Sequence, residues 1–173
     1  MKLKLLLISL LTILNLNAAT VGEVPKQTEI SGDNGGYVED GSAWDSSSIK
    51  DKVYVMFYVD PDEKDVNKHY SSVLKVEKEA KRVNFQSIAI INLAATWKPN
   101  FIIEKLLKSK QEEFPNTIYV KDKNSVLVNE WEIEDDASNI LIFSKNGTLL
   151  FYKSGAMSDS DIEKSLKIIK ENS

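Results

Sequence analysis

The heptapeptide VYVMFYV, residues 53–59, restricts how this chain can fold more than any other segment. Its β-branched and aromatic residues form a continuous apolar run, without alternating polar positions. Such a run predicts a strand that is covered on both faces, as in the interior of a parallel sheet. A shorter run, SIAIIN at 87–92, predicts a second buried strand. Because parallel strands need a crossover between them, we expect an α/β fold with a central mixed sheet flanked by helices.

Helical spacing follows each of these runs. After the first, we expect a helix that begins near Pro61. Its apolar residues recur near the helical period, at Val66, Tyr70, Val73, Leu74, Val76 and Ala80. After the second run, Pro99 suits the first turn of another helix. The pattern there places four apolar residues on one face, namely Ile102, Ile103, Leu106 and Leu107.

The last third of the chain predicts a strand, a hairpin and a final helix. TIYVKD at 117–122 reads as a strand, whereas SVLVNEWEI at 125–133 is open between a short helix and a strand. NILIFS and TLLFYK flank an Asn-Gly pair, which is a strong hairpin signal. Ser158 and Asp161 have the spacing of a capping box, so the last helix begins there.

Two N-terminal segments precede this pattern. Residues 1–19, MKLKLLLISLLTILNLNAA, have the lysines, the apolar run and the small residues of a signal peptide cleaved after Ala18 or Ala19. The apolar run is too short to span a bilayer core of about 30 Å, so we expect no stable membrane anchor after cleavage. Residues 20–49 form a polar extension in which GDNGG predicts a tight turn. Trp44 would pin this extension to the body of the protein.

Composition excludes several kinds of chemistry. Removing 19 of the 173 residues leaves 154, enough for one domain over residues 20–173. Loss of Lys2 and Lys4 takes the net charge from −4 to −6, which disfavours nucleic acid and anionic lipid as partners. The chain has no Cys, so thiol catalysis and disulfide exchange are excluded. No motif in it calls for a cofactor.

The order of elements resembles the thioredoxin-like fold, preceded here by an N-terminal extension. Proteins of that fold usually carry a Cys pair at the helix start after the first of these strands. The resemblance places those two positions at Asp62 and Asp65, and places the usual cis-proline near Ser138. It therefore implies a thioredoxin-like scaffold without redox activity.

The C-terminal half resembles the YtfJ family of exported thioredoxin-like proteins from Gram-negative bacteria. The best matches are Asn146, Gly147, Lys153, Gly155 and Ala156. Further agreement comes from Asp122, Trp131, Asp135, Asp136 and Ser138, and more loosely from Asn92, Pro99, Phe101 and the DKV at 51–53. The resemblance implies a periplasmic location and no well-defined activity.

Acidic residues crowd the expected start of the first long helix. Asp60, Asp62 and Asp65 place three oxygen ligands within six residues, as calcium prefers. The spacing differs from that of an EF-hand loop, and acidic residues in a first helical turn also cap the helix and complement its dipole. The capping interpretation is favoured over the metal site, and whether a metal binds stays open.

A second set of candidates follows the other predicted strands. Asp135, Asp136 and Ser138 precede the hairpin, at the sheet edge where open α/β folds bind ligands, although turn chemistry explains them as well. Trp97 lies in a loop after a strand and is a candidate recognition residue. Trp131 is expected in the core, and His69 on the surface, half exposed.

These features favour a binding module over an enzyme. The leading hypothesis is an exported, redox-inactive thioredoxin-like protein that binds a protein, peptide or small ligand, or serves the cell envelope. Its ligand-facing residues would be Asp60, Asp62, Asp65, Trp97, Asp135, Asp136 and Ser138. The alternative is a carboxylate-based metal-binding protein or a non-thiol enzyme with its site after Pro61.

Overall fold

The computed structural model describes residues 18–173. Most of the predicted signal peptide, residues 1–17, lies outside the described residues, so that assignment stays a prediction. Within the described range, no helix has the length and apolar character needed to cross a membrane.

Eight strands and four helices make up the described part of the chain. The strands are β1 (Glu29–Ile30), β2 (Gly35–Tyr37), β3 (Trp44–Asp45), β4 (Tyr54–Val59), β5 (Gln86–Asn92), β6 (Thr117–Asp122), β7 (Ser138–Phe143) and β8 (Leu149–Ser154). The helices are α1 (Lys68–Glu79), α2 (Asn100–Glu113), α3 (Val126–Trp131) and α4 (Asp159–Asn172).

Six of the strands form one mixed sheet in the order β2-β6-β5-β4-β7-β8. β4, β5 and β6 run parallel, while β2, β7 and β8 pair antiparallel with their neighbours. β4 lies between β5 and β7 and is buried along almost its whole length, which confirms the interior position predicted for VYVMFYV. The remaining strands, β1 and β3, pair with each other.

Helices cover both faces of the sheet. On one face, Val53 and Val55 pack in a cluster with Tyr70 of α1 and Ile162 of α4. Farther along the same face, α2 packs through Ile103 and Leu107, next to Ile91 of β5 and Tyr119 of β6.

The opposite face of the sheet carries α3 and the N-terminal extension. Met56 and Ile90 of the sheet pack there with Trp44 and Trp131, whose ring centroids lie 6.4 Å apart in an edge-to-face arrangement. Both indoles are buried, which confirms Trp131 as a core residue and Trp44 as the anchor of the extension.

The start of α1 differs from the prediction. The helix begins at Lys68 rather than near Pro61, and the intervening residues form successive turns. The buried Asn67, which precedes the helix, explains the delay, because its side chain bonds to distant residues: Nδ2 donates to Ser138 Oγ at 3.0 Å, and Oδ1 accepts from the Met157 amide at 2.9 Å. Asp62 and Asp65 therefore do not lie in the first turn of this helix.

The structure also decides the other segments of the sequence prediction. SVLVNEWEI contains the short helix α3, flanked by Ser125 and Glu132 in left-handed conformations. The hairpin of β7 and β8 and the capping box of α4 are both confirmed. GDNGG forms a short 3₁₀ turn between β1 and β2, but these strands belong to different sheets and do not form a hairpin.

Candidate functional site

The three parallel strands end in buried polar side chains at one edge of the sheet. Asp60 follows β4, Asn92 ends β5 and Asp122 ends β6, with exposed fractions of 6%, 1% and 0%. Buried polar groups must be hydrogen-bonded or they destabilise the fold. Their hydrogen-bond partners therefore determine whether these side chains are available to a ligand.

Asp122 is fully occupied by the protein itself. Oδ1 accepts from the amides of Asn124 at 3.2 Å and Val126 at 2.9 Å. Oδ2 accepts from the Leu127 amide at 3.1 Å and from the Tyr58 hydroxyl at 3.0 Å. Burial, together with the negative charge of Asp122, raises the pKa of Tyr58 far above its usual range, so this hydroxyl keeps its proton. The carboxylate thus anchors the start of α3 to β6 and β4.

Asp60 is the carboxyl group at this edge with the raised pKa. Its Oδ1 accepts from the Asp62 amide at 2.8 Å, and its own amide donates to the Ala137 carbonyl at 3.0 Å. Burial raises the pKa of Asp60, and the charges of Asp136 and Glu63 add to the effect. The carboxyl group therefore stabilises the turn at Asp62, and its burial disfavours the ionised form.

Asp62 holds both neighbours of Trp97. Its Oδ2 accepts from the Thr96 hydroxyl at 2.8 Å, and its Oδ1 pairs with the ammonium of Lys98. Trp97 itself is 86% exposed, with the Lys98 ammonium 5.8 Å from the ring centroid. A large indole is thus presented to solvent on a loop that is tied down at both sides.

The opposite end of this loop is fixed by Asn92. Its Oδ1 accepts from the Ala94 amide at 3.2 Å and from the Ser125 hydroxyl at 3.0 Å. Its Nδ2 donates to Asp135 Oδ1 at 2.9 Å. Asp135 is therefore linked to the Trp97 loop through Asn92, as Asp62 is linked to it through Thr96 and Lys98.

Of the remaining candidate residues, Asp136 lies near Asp60, Ser138 is buried and Asp65 is exposed. Asp136, exposed and left-handed at φ 46°, contributes its charge near Asp60. Ser138 is buried, and its hydroxyl accepts from Asn67. Asp65 is exposed and bonds to its neighbour Lys64, which lowers the pKa of Asp65. Among residues 18–173, no three His, Asp or Glu side chains are grouped so that they could hold a metal ion.

His69 lies on the surface, as predicted. Its Nε2 lies 2.9 Å from the Met157 carbonyl oxygen, so the ring bridges the start of α1 to the segment before α4. This contact gives the side chain a structural partner.

The apolar face predicted for α2 is divided in two. Ile103 and Leu107 are buried against the sheet, but Ile102 and Leu106 are 43% and 58% exposed. The reason is geometric, because each exposed residue lies about 100° around the helix from its buried neighbour. The four residues share one side of the helix, but the sheet covers only the half that carries Ile103 and Leu107.

Exposed apolar residues follow one another from the Trp97 loop into the first two turns of α2, and this set is here called the Trp97 face. It consists of Trp97, Phe101, Ile102 and Leu106. Phe101 is 73% exposed. Sequence reasoning found Trp97 but missed the rest of this face, as well as Thr96 and Lys98. The available signal was the close succession of apolar residues from 101 to 107, which is more than one buried helical stripe can hold.

Comparison with known proteins places the chain in a family. The sequence model for a family described as "Bacterial protein of unknown function (YtfJ_HI0045)" matches residues 12–172. The chain belongs to the YtfJ family. This membership confirms the resemblance that was recognised in the C-terminal half.

Two curated relatives agree with membership of the YtfJ family. An uncharacterized protein of Haemophilus influenzae is 29% identical over 130 residues, which cover 73% of this chain and 70% of the relative. The uncharacterized protein YtfJ of Escherichia coli is 20% identical over 131 residues, covering 74% and 71%.

A solved structure supports the fold of this YtfJ family member. The exposed lipoprotein thioredoxin of Streptococcus pneumoniae superposes with a TM-score of 0.57 at 16% identity, covering 83% of this chain and 99% of that one. The fold is therefore thioredoxin-like, as predicted, in a chain that contains no Cys.

Proposed function

We propose that this protein is an exported, redox-inactive binding module that docks a protein partner on its Trp97 face. Export rests on the signal-peptide pattern of residues 1–19, and the periplasm is the compartment that the YtfJ resemblance implies. Binding rather than catalysis rests on the way the acidic residues are used. Asp62 and Asp135, which lie at the carboxyl edge of the sheet, are engaged in holding the Trp97 loop.

The observation that carries the proposal is the exposure of Trp97 on an anchored loop. Exposed apolar surface disfavours solubility, and large exposed patches mark interaction sites. Tryptophan is also the residue type most enriched among those that dominate binding energy. A loop that is already held in place loses little conformational entropy on binding. The ties from Asp62 to Thr96 and Lys98 supply such preorganisation.

The charges beside this face select the chemistry of the partner. Lys105 and Lys108 on α2 form no ion pair with any carboxylate in residues 18–173. A partner segment with apolar and acidic side chains would complement both the Trp97 face and these lysines. The net charge of −6 expected for the mature chain disfavours an anionic bilayer as the occupant.

Site-specific crosslinking tests the proposal. A photoreactive phenylalanine analogue replaces Phe101 in cells that export the protein, and a matched control places it at the exposed Lys167 of α4. We expect a protein adduct that forms from position 101 and not from position 167. The adduct is identified by mass spectrometry, and the purified partner is then titrated into the wild type and the Leu106→Ser variant.

Weaker binding of the partner to the Leu106→Ser variant supports the proposal. Equal adducts from both positions, or equal affinity for both proteins, contradicts it. Co-sedimentation with vesicles containing anionic lipid, reduced in the Leu106→Ser variant, would also contradict it, because the occupant would then be a membrane.

A further inference from the structure

A hollow lies at the edge of the sheet opposite the Trp97 loop, where β4, β5 and β6 begin. Its volume is about 520 Å³. The residues around it include Lys52, Lys78, Asn84, Phe85, Asn116 and Ile118. This volume falls within the range of small-molecule sites, which is about 300–1,000 Å³.

The charged side chains of this hollow are two lysines without counter-charges. Neither Lys52 nor Lys78 forms an ion pair with a carboxylate in residues 18–173. Burial lowers the pKa of Lys78, and the nearby positive charge of Lys52 lowers it further. Two neighbouring lysines without counter-charges create a local positive potential, which favours the binding of an anion.

The Lys78 ammonium is held in a defined position. It donates to the Phe85 carbonyl oxygen at 2.8 Å and lies 4.6 Å from the centroid of the Phe85 ring. A lysine ammonium has three donors, so two protons stay available to an anionic ligand. The site is therefore partly preorganised before anything binds.

The rest of the lining combines amide groups with an apolar wall. The side-chain amides of Asn84 and Asn116 form no hydrogen bond within residues 18–173, since both residues bond there only through backbone atoms. Phe85, Pro115 and Ile118 supply the apolar part of the lining. A ligand that fits both parts carries a charged head and a short apolar body.

We infer that this hollow binds a small organic acid, whose carboxylate is neutralised by Lys52 and Lys78 and whose apolar part lies on Phe85 and Ile118. The inference is independent of the proposed docking function, because the two surfaces occupy opposite edges of the sheet. Phosphate alone would satisfy the lysines but leave the apolar wall without a contact.

Nuclear magnetic resonance titration of the ¹⁵N-labelled mature protein tests this inference. Hexanoate is the probe, at ionic strength held constant with sodium chloride, and 1-hexanol and inorganic phosphate are the comparison ligands. We expect saturable shifts with hexanoate at the backbone amides of Asn84, Phe85, Gln86 and Asn116. Hexanol and phosphate should each bind at least tenfold more weakly, since each satisfies only half of the site.

A matched pair of variants locates the binding. Lys52→Gln removes one cation from an exposed position and should weaken hexanoate binding at least tenfold. Lys50→Gln, also exposed and outside the lining, should leave it unchanged. The inference is overturned by shifts that do not saturate, by equal affinity in the Lys52→Gln variant, or by hexanol or phosphate binding as tightly as hexanoate.

Discussion

Asp62 pairs with Lys98, the residue that directly follows Trp97, and thereby spans from the end of β4 to the loop after β5. The same carboxylate accepts a hydrogen bond from Thr96, the residue before Trp97. In the thioredoxin-like resemblance, Asp62 occupies the place of a reactive thiol. Here the side chain at that position has a structural role, because it holds the two neighbours of Trp97.

Removing the carboxylate should loosen this loop without unfolding the protein. In Asp62→Ala, we expect a lower heteronuclear NOE for the Trp97 indole N–H, because both ties to the loop are lost. The free energy of unfolding should fall by no more than about 1 kcal/mol, as for other half-exposed ion pairs. Asp65→Ala, which removes only a contact with Lys64, is the control and should leave the Trp97 NOE unchanged. An unchanged NOE in Asp62→Ala would show that the loop does not depend on this carboxylate.

Among the polar residues at the sheet edge, Asp122 should cause the largest loss of folding stability when it is replaced. Asp122→Ala leaves the buried Tyr58 hydroxyl and the Leu127 amide without their acceptor, which should cost about 3 kcal/mol. Tyr58→Phe removes one hydrogen bond and should cost about 1 kcal/mol. Urea denaturation of both variants measures the two losses in the free energy of unfolding and shows which is larger. A smaller loss for Asp122→Ala than for Tyr58→Phe would refute the anchoring role assigned to this carboxylate.

The stability contributed by Asp60 should fall as pH rises, which is opposite to the usual behaviour of a carboxyl group. Its pKa is raised in the folded protein, chiefly by burial, so the folded state retains a proton that the unfolded chain releases as pH rises through 3.8. The contribution of Asp60 therefore declines from acid towards neutral pH. Asp60→Asn should gain stability relative to the wild type over this window, with little difference below pH 3.8.

A variant at a carboxyl group with the opposite shift provides the control. Hydrogen bonds from Ser42 lower the pKa of Asp40, so its contribution is present above pH 3.8 and is lost as pH falls further. Asp40→Asn should therefore be less stable than the wild type at neutral pH, and this difference should shrink as pH falls below 3.8. Parallel urea titrations across pH measure both variants, and the same pH trend in both would contradict the assignment.

The two buried tryptophans should respond differently to phenylalanine. Trp131 Nε1 donates to the Lys26 carbonyl at 2.8 Å and to the Thr28 hydroxyl at 3.1 Å, whereas Trp44 Nε1 has no partner among residues 18–173. Both substitutions leave a smaller ring, but only Trp131→Phe deprives buried acceptors of a donor. It should cost about 1 kcal/mol more than Trp44→Phe in thermal or urea unfolding. Equal costs would mean that these hydrogen bonds contribute little.

The sequence predicted what depends on local pattern. VYVMFYV was identified as an interior strand because a run without polar positions tolerates cover on both faces. The hairpin and the final helix were predicted because Asn-Gly and the Ser158–Asp161 pair act within a few residues.

What escaped prediction depends on contacts between distant residues. The start of α1 is set by Asn67, whose partners Ser138 and Met157 lie 71 and 90 positions away. The Trp97 face escaped for a related reason. Periodicity shows that α2 has two neighbouring apolar stripes, but only the packed sheet decides that Ile103 is buried and Ile102 is not.

The affinity of the crosslinked partner for Trp97→Ala tests the central claim most directly. If the anchored indole dominates recognition, Trp97→Ala should bind about thirtyfold more weakly than the wild type, equivalent to about 2 kcal/mol. Its unfolding transition should be unaltered, because the side chain is exposed. Equal affinity of the two proteins for that partner, measured by calorimetry, would contradict the claim that this face is where the protein binds.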